Sequence, residues 1–153
     1  MNLKNVVLVT TLSLGALAAA GPALAADAPP EIKESPNGEV TVVANLDVEP
    51  GAEAEFEKAA QRSIKCTRLE PGNVSFTITK VLGGSSPSYV MVEVWRDKAA
   101  LQSHFVQPYT QALFGAFKQD LSAPPGMKFV AELAPAARSA PAKTDPKGSA
   151  DCR

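Results

Sequence analysis

The chain has 153 residues, with 15 Lys or Arg against 16 Asp or Glu, and a formal net charge of −1 with its single histidine neutral. That balance gives no electrostatic footprint for nucleic acid, and the length fits one domain with one core. One histidine and two widely spaced cysteines exclude a Cys/His cluster of the zinc type.

Residues 1–25 have the layout of a secretory signal: Lys4 at a short basic start, an apolar run from Val6 to Leu17, and Ala23-Leu24-Ala25 as a small-x-small cleavage site. Cleavage is expected after Ala25. The product is expected in the periplasm or outside the cell, with no later segment able to span a bilayer. Residues 26–38 lack an apolar period and read as a flexible segment.

The first strand is predicted from Val40, Val42, Ala44, Leu46 and Val48, which alternate with Thr41, Val43, Asn45 and Asp47. Pro50-Gly51 ends it. Glu53, Glu55 and Glu57 then head a helix, where the dipole favours negative charge, and Phe56, Ala59, Ala60, Ser63, Ile64 and Thr67 form its inward stripe. Pro71-Gly72-Asn73 breaks that helix. Val74, Phe76 and Ile78 mark a second strand, and Gly83-Gly84-Ser85-Ser86-Pro87 a turn. The third strand spans 88–95, with Val90, Val92 and Val94 on one parity and Tyr89, Met91, Glu93 and Trp95 on the other. Asp97 caps a helix in which Leu101, His104 and Phe105 fall together. Pro108 suits the first position of another helix, whose Leu113, Phe114, Phe117 and Leu121 point inward. Pro124-Pro125-Gly126 stops it before a last strand over 127–133. Residues 134–153 hold no large apolar side chain and read as a disordered Ala/Pro/Lys tail.

The order β-α-β-β-α-α-β is an α+β, ferredoxin-like plan with the second crossover split in two, an antiparallel sheet with its helices on one face. On this reading the valine-rich face packs on the helices. The other face carries Thr41, Val43, Asn45, Ser75, Thr77, Thr79, Tyr89, Met91, Glu93 and Trp95, a set that a face-to-face homodimer would bury.

No glycine fingerprint for a dinucleotide and no Gly-x-Ser-x-Gly elbow occurs. That leaves general acid–base groups and a shaped pocket, with no cofactor expected. An imidazole can take up a proton in the physiological range, so His104 suits a general base; the other reading packs it beside Leu101 and Phe105 on one hydrogen bond. Trp95 offers either a stacking wall or simply the largest core side chain. Glu93, if buried, needs a proton or a partner, with Arg62, Arg68 or the dimer rim as candidates. Cys66 and Cys152 leave three states open: an intrachain disulfide, a bridge between subunits, or a free buried Cys66.

Four stretches carry a family resemblance: Val40 to Val48 running into Glu49-Pro50-Gly51, Leu69-Glu70-Pro71-Gly72-Asn73, Glu93-Val94-Trp95 through His104, and Gln107-Pro108-Tyr109. Over residues 39–133 the chain resembles the antibiotic-biosynthesis monooxygenase family of small α+β proteins. The resemblance implies a dimeric α+β barrel with a ligand chamber in each subunit. It also implies cofactor-independent oxygenation of a small electron-rich aromatic, a quinol or an anthrone, by dioxygen. His104 would be the base, Trp95 the stacking wall, and Asn45 and Tyr89 the orienters, with Glu93 and Tyr109 also lining the substrate. A branch of the family degrades haem using Asn, Trp and His, a set that Asn45, Trp95 and His104 echo, so haem enters as a secondary ligand. Tyr109 stands where many relatives carry a second histidine, which removes a two-histidine site. The alternative of another class is an exported, non-catalytic module that binds a small molecule such as a quinone or haem.

Overall fold

The computed structural model describes residues 31–133 and 149–153. The expected signal segment 1–25, the start of the segment 26–38 and the stretch 134–148 of the expected tail lie outside the described residues. Four strands, β1 (Val40–Asp47), β2 (Asn73–Lys80), β3 (Ser88–Trp95) and β4 (Gly126–Val130), combine with three helices, α1 (Glu53–Thr67), α2 (Lys98–Phe105) and α3 (Pro108–Asp120). The sheet order is β2-β3-β1-β4 with every neighbour antiparallel. This is the ferredoxin-like plan expected from the sequence. The last strand stops at Val130, short of the expected Leu133.

Local chemistry accounts for the element ends. Glu53 and Glu55 occupy the first turn of α1, and Glu53 also accepts from the Gly51 amide at 2.6 Å. The Asp97 side chain accepts from the Ala100 amide at 2.8 Å and caps α2. Pro108 opens α3. Gly72, at φ +88°, turns the chain into β2 where a Cβ would stand 2.7 Å from the Ala100 Cβ. Only glycine meets both the left-handed backbone and the close approach. Arg96 N–H closes on the Gly72 carbonyl at 2.8 Å, which ties this turn to the end of β3.

The faces of β3 differ from the sequence expectation. Trp95 pairs with Val40, Glu93 with Val42, Met91 with Ala44 and Tyr89 with Leu46. Directly opposed residues share a face, so Tyr89, Met91, Glu93 and Trp95 lie under the helices, each 4% exposed or less. Val90 and Val92 stand on the open face with Thr41, Val43, Asn45, Thr77 and Thr79. The strand is apolar on both parities, so alternation alone could not choose; pairing register did. A register shift between Asn73 and Ser75 also turns Asn73 inward beside Phe76 and Ile78.

The ends of the domain hold further departures from the expected disorder. Ile32 packs against Val40, Val42, Trp95 and Leu101. Residues 150–152 form a short 3-10 turn seated on α1. Cys66 and Cys152 are joined by a disulfide with Cα atoms 5.6 Å apart. Arg62 donates to the carbonyls of Asp151 at 2.7 Å and Arg153 at 2.9 Å, and Lys65 pairs with the Asp151 carboxylate. The last five residues of the expected tail are therefore docked. They meet a basic row on α1, Lys58, Arg62 and Lys65, spaced about one turn apart.

Candidate functional site

The site follows from three short-range rules. Glu93 and Trp95 are two residues apart on β3 and share its inner face. Asp97 then starts α2 at once, and two turns later His104 falls on the buried side with Ala100 and Leu101. The turn held by Gly72 sets Glu70 against that histidine. Glu70 Oε1 lies 2.6 Å from His104 Nδ1, and both side chains are 4% exposed. The hydroxyl of Thr110, from α3, lies 3.2 Å from Nδ1 and 3.3 Å from Nε2.

Glu93 approaches from the sheet. Its Oε2 accepts from the Trp95 indole N–H at 3.0 Å and lies 4.0 Å from His104 Nε2. Burial pushes the Glu93 carboxyl up, against the opposing pull of His104 and the Trp95 N–H, and the nearby Glu70 pushes it further the same way. Two buried carboxyls thus share one imidazole, and each is hydrogen-bonded, as burial demands. With Glu70 accepting the Nδ1 hydrogen, Nε2 is the nitrogen left for chemistry. Rings close around it: Trp95 at 4.7 Å between centroids, Phe76 at 5.8 Å, Phe105 at 6.2 Å and Tyr109 at 6.3 Å.

The structure brings together His104, Trp95 and Glu93, with Tyr109 at the border, where it also packs on Cys66 and Cys152. It does not bring in Asn45, which is exposed on the open face of β1. Nor does it bring in Tyr89, which lies at the far end of β3 and donates to Glu57 at 2.6 Å. The expected arginine partners of Glu93 are elsewhere: Arg62 holds the C-terminal residues, and Arg68 donates to the Phe76 carbonyl at 2.8 Å. The dimer rim is likewise excluded for Glu93, because it faces the helices. Sequence reasoning missed Glu70 and Thr110. Glu70 stood in the Leu69-Glu70-Pro71-Gly72-Asn73 stretch but was read only as part of the family resemblance; an acid placed just before a tight turn was the available signal.

Among the described residues no group of three His, Cys, Asp or Glu could hold a metal ion. Asn45 lies across the sheet from Trp95 and His104, so the Asn, Trp and His set expected for haem is not brought together. Among the described residues no helix is long and apolar enough to cross a membrane.

Residues 39–116 match the profile of a family described as Antibiotic biosynthesis monooxygenase. A Bacillus subtilis protein named "Putative monooxygenase YcnE" is 31% identical over 85 residues, covering 56% of this chain and 88% of that protein. The uncharacterized Synechocystis protein sll1783 is 36% identical over 70 residues, covering 46% of this chain and 47% of its own length. The chain therefore spans about half of that relative. Among solved structures, SnoaB, a cofactor-independent oxygenase from Streptomyces nogalater, is similar with a TM-score of 0.52 and 28% identity, covering 65% of this chain and 99% of SnoaB.

Proposed function

Because the chain belongs to the antibiotic biosynthesis monooxygenase family, we propose that it is an exported monooxygenase that works without a cofactor. Its substrates on this reading are dioxygen and a small electron-rich aromatic of the quinol or anthrone type. The observation that carries the reading is the His104 imidazole, held at Nδ1 by Glu70 at 2.6 Å and flanked by the Trp95 ring at 4.7 Å.

In this mechanism Nε2 takes a proton from the substrate, and Glu70 orients the ring and stabilises the imidazolium that forms. The deprotonated substrate is a strong enough reductant to meet dioxygen directly. For an anthrone, the methylene carbon becomes a carbonyl and the second oxygen leaves as water with the two hydrogens. The substrate itself supplies all four electrons. Trp95 stacks on the substrate, and Phe76 and Phe105 limit access of water. His104 is 3% exposed, so the substrate reaches it when the corner between α2 and α3 yields; Val106 at that corner is 75% exposed. The same reading assigns the open Thr/Val face of the sheet to a homodimer interface.

The test is oxygen uptake over a panel of hydroquinones and anthrones, beside His104→Ala. Uptake above the autoxidation blank that the variant abolishes supports the enzyme; no uptake from a folded protein removes it. The burial of His104 favours a second reading, a non-catalytic exported module that holds a quinone. That reading requires ligand binding without turnover, and unchanged binding in His104→Ala.

A further inference from the structure

At the opposite end of β3 from Trp95, a cavity of about 310 Å³ opens between α1, β2 and β3. Ala60, Ile64 and Ile78 form its apolar floor, and Glu57, Lys80 and Tyr89 its rim. The Tyr89 ring is fixed, 4% exposed and packed 4.7 Å from the Phe56 ring. Its hydroxyl donates to Glu57 Oε1 at 2.6 Å, and Lys80 Nζ donates to the same oxygen at 2.9 Å. Lys80 Nζ also stands 5.6 Å from the centre of the Tyr89 ring.

Both donors converge on one carboxylate oxygen. Lys80 also interacts with the Tyr89 hydroxyl, which among the described residues leaves Glu57 Oε2 as an acceptor and one ammonium hydrogen of Lys80 as a donor. The charges of Glu57 and Lys80 cancel, so the rim has no net pull on an ion and suits a neutral ligand that both donates and accepts. Hydrogen bonds from Tyr89 and then Lys80 hold the Glu57 carboxyl below its usual range, so it remains an acceptor across neutral pH. The volume is at the small end of ligand cavities, which start near about 300 Å³, and suits one or two rings.

We propose that this cavity binds a one- or two-ring hydroxyarene. Its ring would lie on Ala60, Ile64 and Ile78 against Tyr89, and its hydroxyl would donate to Glu57 Oε2 while accepting from Lys80. The choice of a hydroxyarene rests on the monooxygenase reading, and the cavity is a binding site apart from the His104 corner, at which that reading places the chemistry.

The test is an anaerobic titration of the full chain with naphthohydroquinone and with its dimethyl ether, followed by backbone amide NMR. The expected result is saturable shifts at Ile78, Lys80 and Tyr89. Affinity should fall about tenfold for the ether, for Lys80→Met and for Glu57→Gln, the loss of one hydrogen bond to a charged group. Gln61→Trp, at an exposed position lining the cavity, should fill the space and abolish the shifts while leaving the fold intact. An ether that binds as well as the diol, or shifts confined to His104 and Trp95, overturns the proposal. Oxygen uptake that depends on His104, without shifts at the cavity, keeps the enzyme and removes this site. Shifts at the cavity without uptake keep the site and remove the enzyme.

Discussion

The two ends of the core share one sheet and one layer of helices but are held by different forces. At one end Phe56, Tyr89, Met91, Leu113 and Phe117 form a cluster of apolar contacts, with the Phe56 and Phe117 rings 6.4 Å apart. At the other, Glu70, Glu93, His104 and Thr110 are buried beside Trp95 and bound to one another. The first end gains stability in proportion to area removed from water. The second gains little from ionic pairing, because desolvation offsets most of the attraction, yet it loses heavily when one partner is removed.

Several substitutions test that contrast. The largest effect belongs to the clamp beside the polar end. Cys152→Ser opens a disulfide that spans 86 residues of sequence, and the loop-closure estimate is a loss of about 4–5 kcal/mol. Urea unfolding at neutral pH reads it, and an unchanged midpoint would show that the docked residues hold without the bond. Next come paired truncations. Phe56→Ala should destabilise by about 3–5 kcal/mol through the cavity it leaves. Glu70→Leu should lose a similar amount, about 3–5 kcal/mol, by stranding His104. The ends separate in the second step, because adding His104→Leu to Glu70→Leu should restore at least half of the loss. A double variant no more stable than the single one would mean that the polar end contributes stability as the apolar end does.

A smaller effect distinguishes the ends by pH. Burial raises the folded-state pKa of Glu93 above its ordinary value of 4.5. Between those two values the folded chain keeps a proton that the unfolded chain has lost, so stability falls as pH rises through that window. Glu93→Gln should remove this fall, while Phe56→Ala should leave its shape unchanged; denaturation midpoints across the acidic to neutral range decide it. The smallest effect is at the corner that aims the histidine. Asp97→Ala should cost about 1 kcal/mol through the lost cap and should shift the His104 ring resonances more than those of Phe56.

The order of elements was legible in the sequence because each boundary carries its own local signal, Pro50-Gly51, Pro71-Gly72, Asp97, Pro108 and Pro124-Pro125-Gly126. The pairing of His104 with Trp95 and Glu93 was legible too, since one strand, one cap and two turns of helix connect them. The inner face of β3 was not. Valines on one parity and aromatics on the other are both apolar enough to bury, and only the register with β1 chose between them. Asn45 was placed on its true side, the open face of β1, but it was joined to Trp95 and His104 only because Trp95 was assigned to that same face. Glu70 and Thr110 reach His104 from different elements, a meeting that no local pattern encodes.

The docked C-terminal residues impose a chronology on assembly. Cys66 is made well before Cys152, and in the finished protein it is fully buried. A thiolate must be reached before it can be oxidised. The bond must therefore close before Cys66 is sealed from solvent against Tyr109 and Cys152. A chain that buried Cys66 before oxidation would carry Cys66 and Cys152 as two thiols in place of the bond. Oxidative refolding should then yield two long-lived populations, separable by alkylation, from a single sequence.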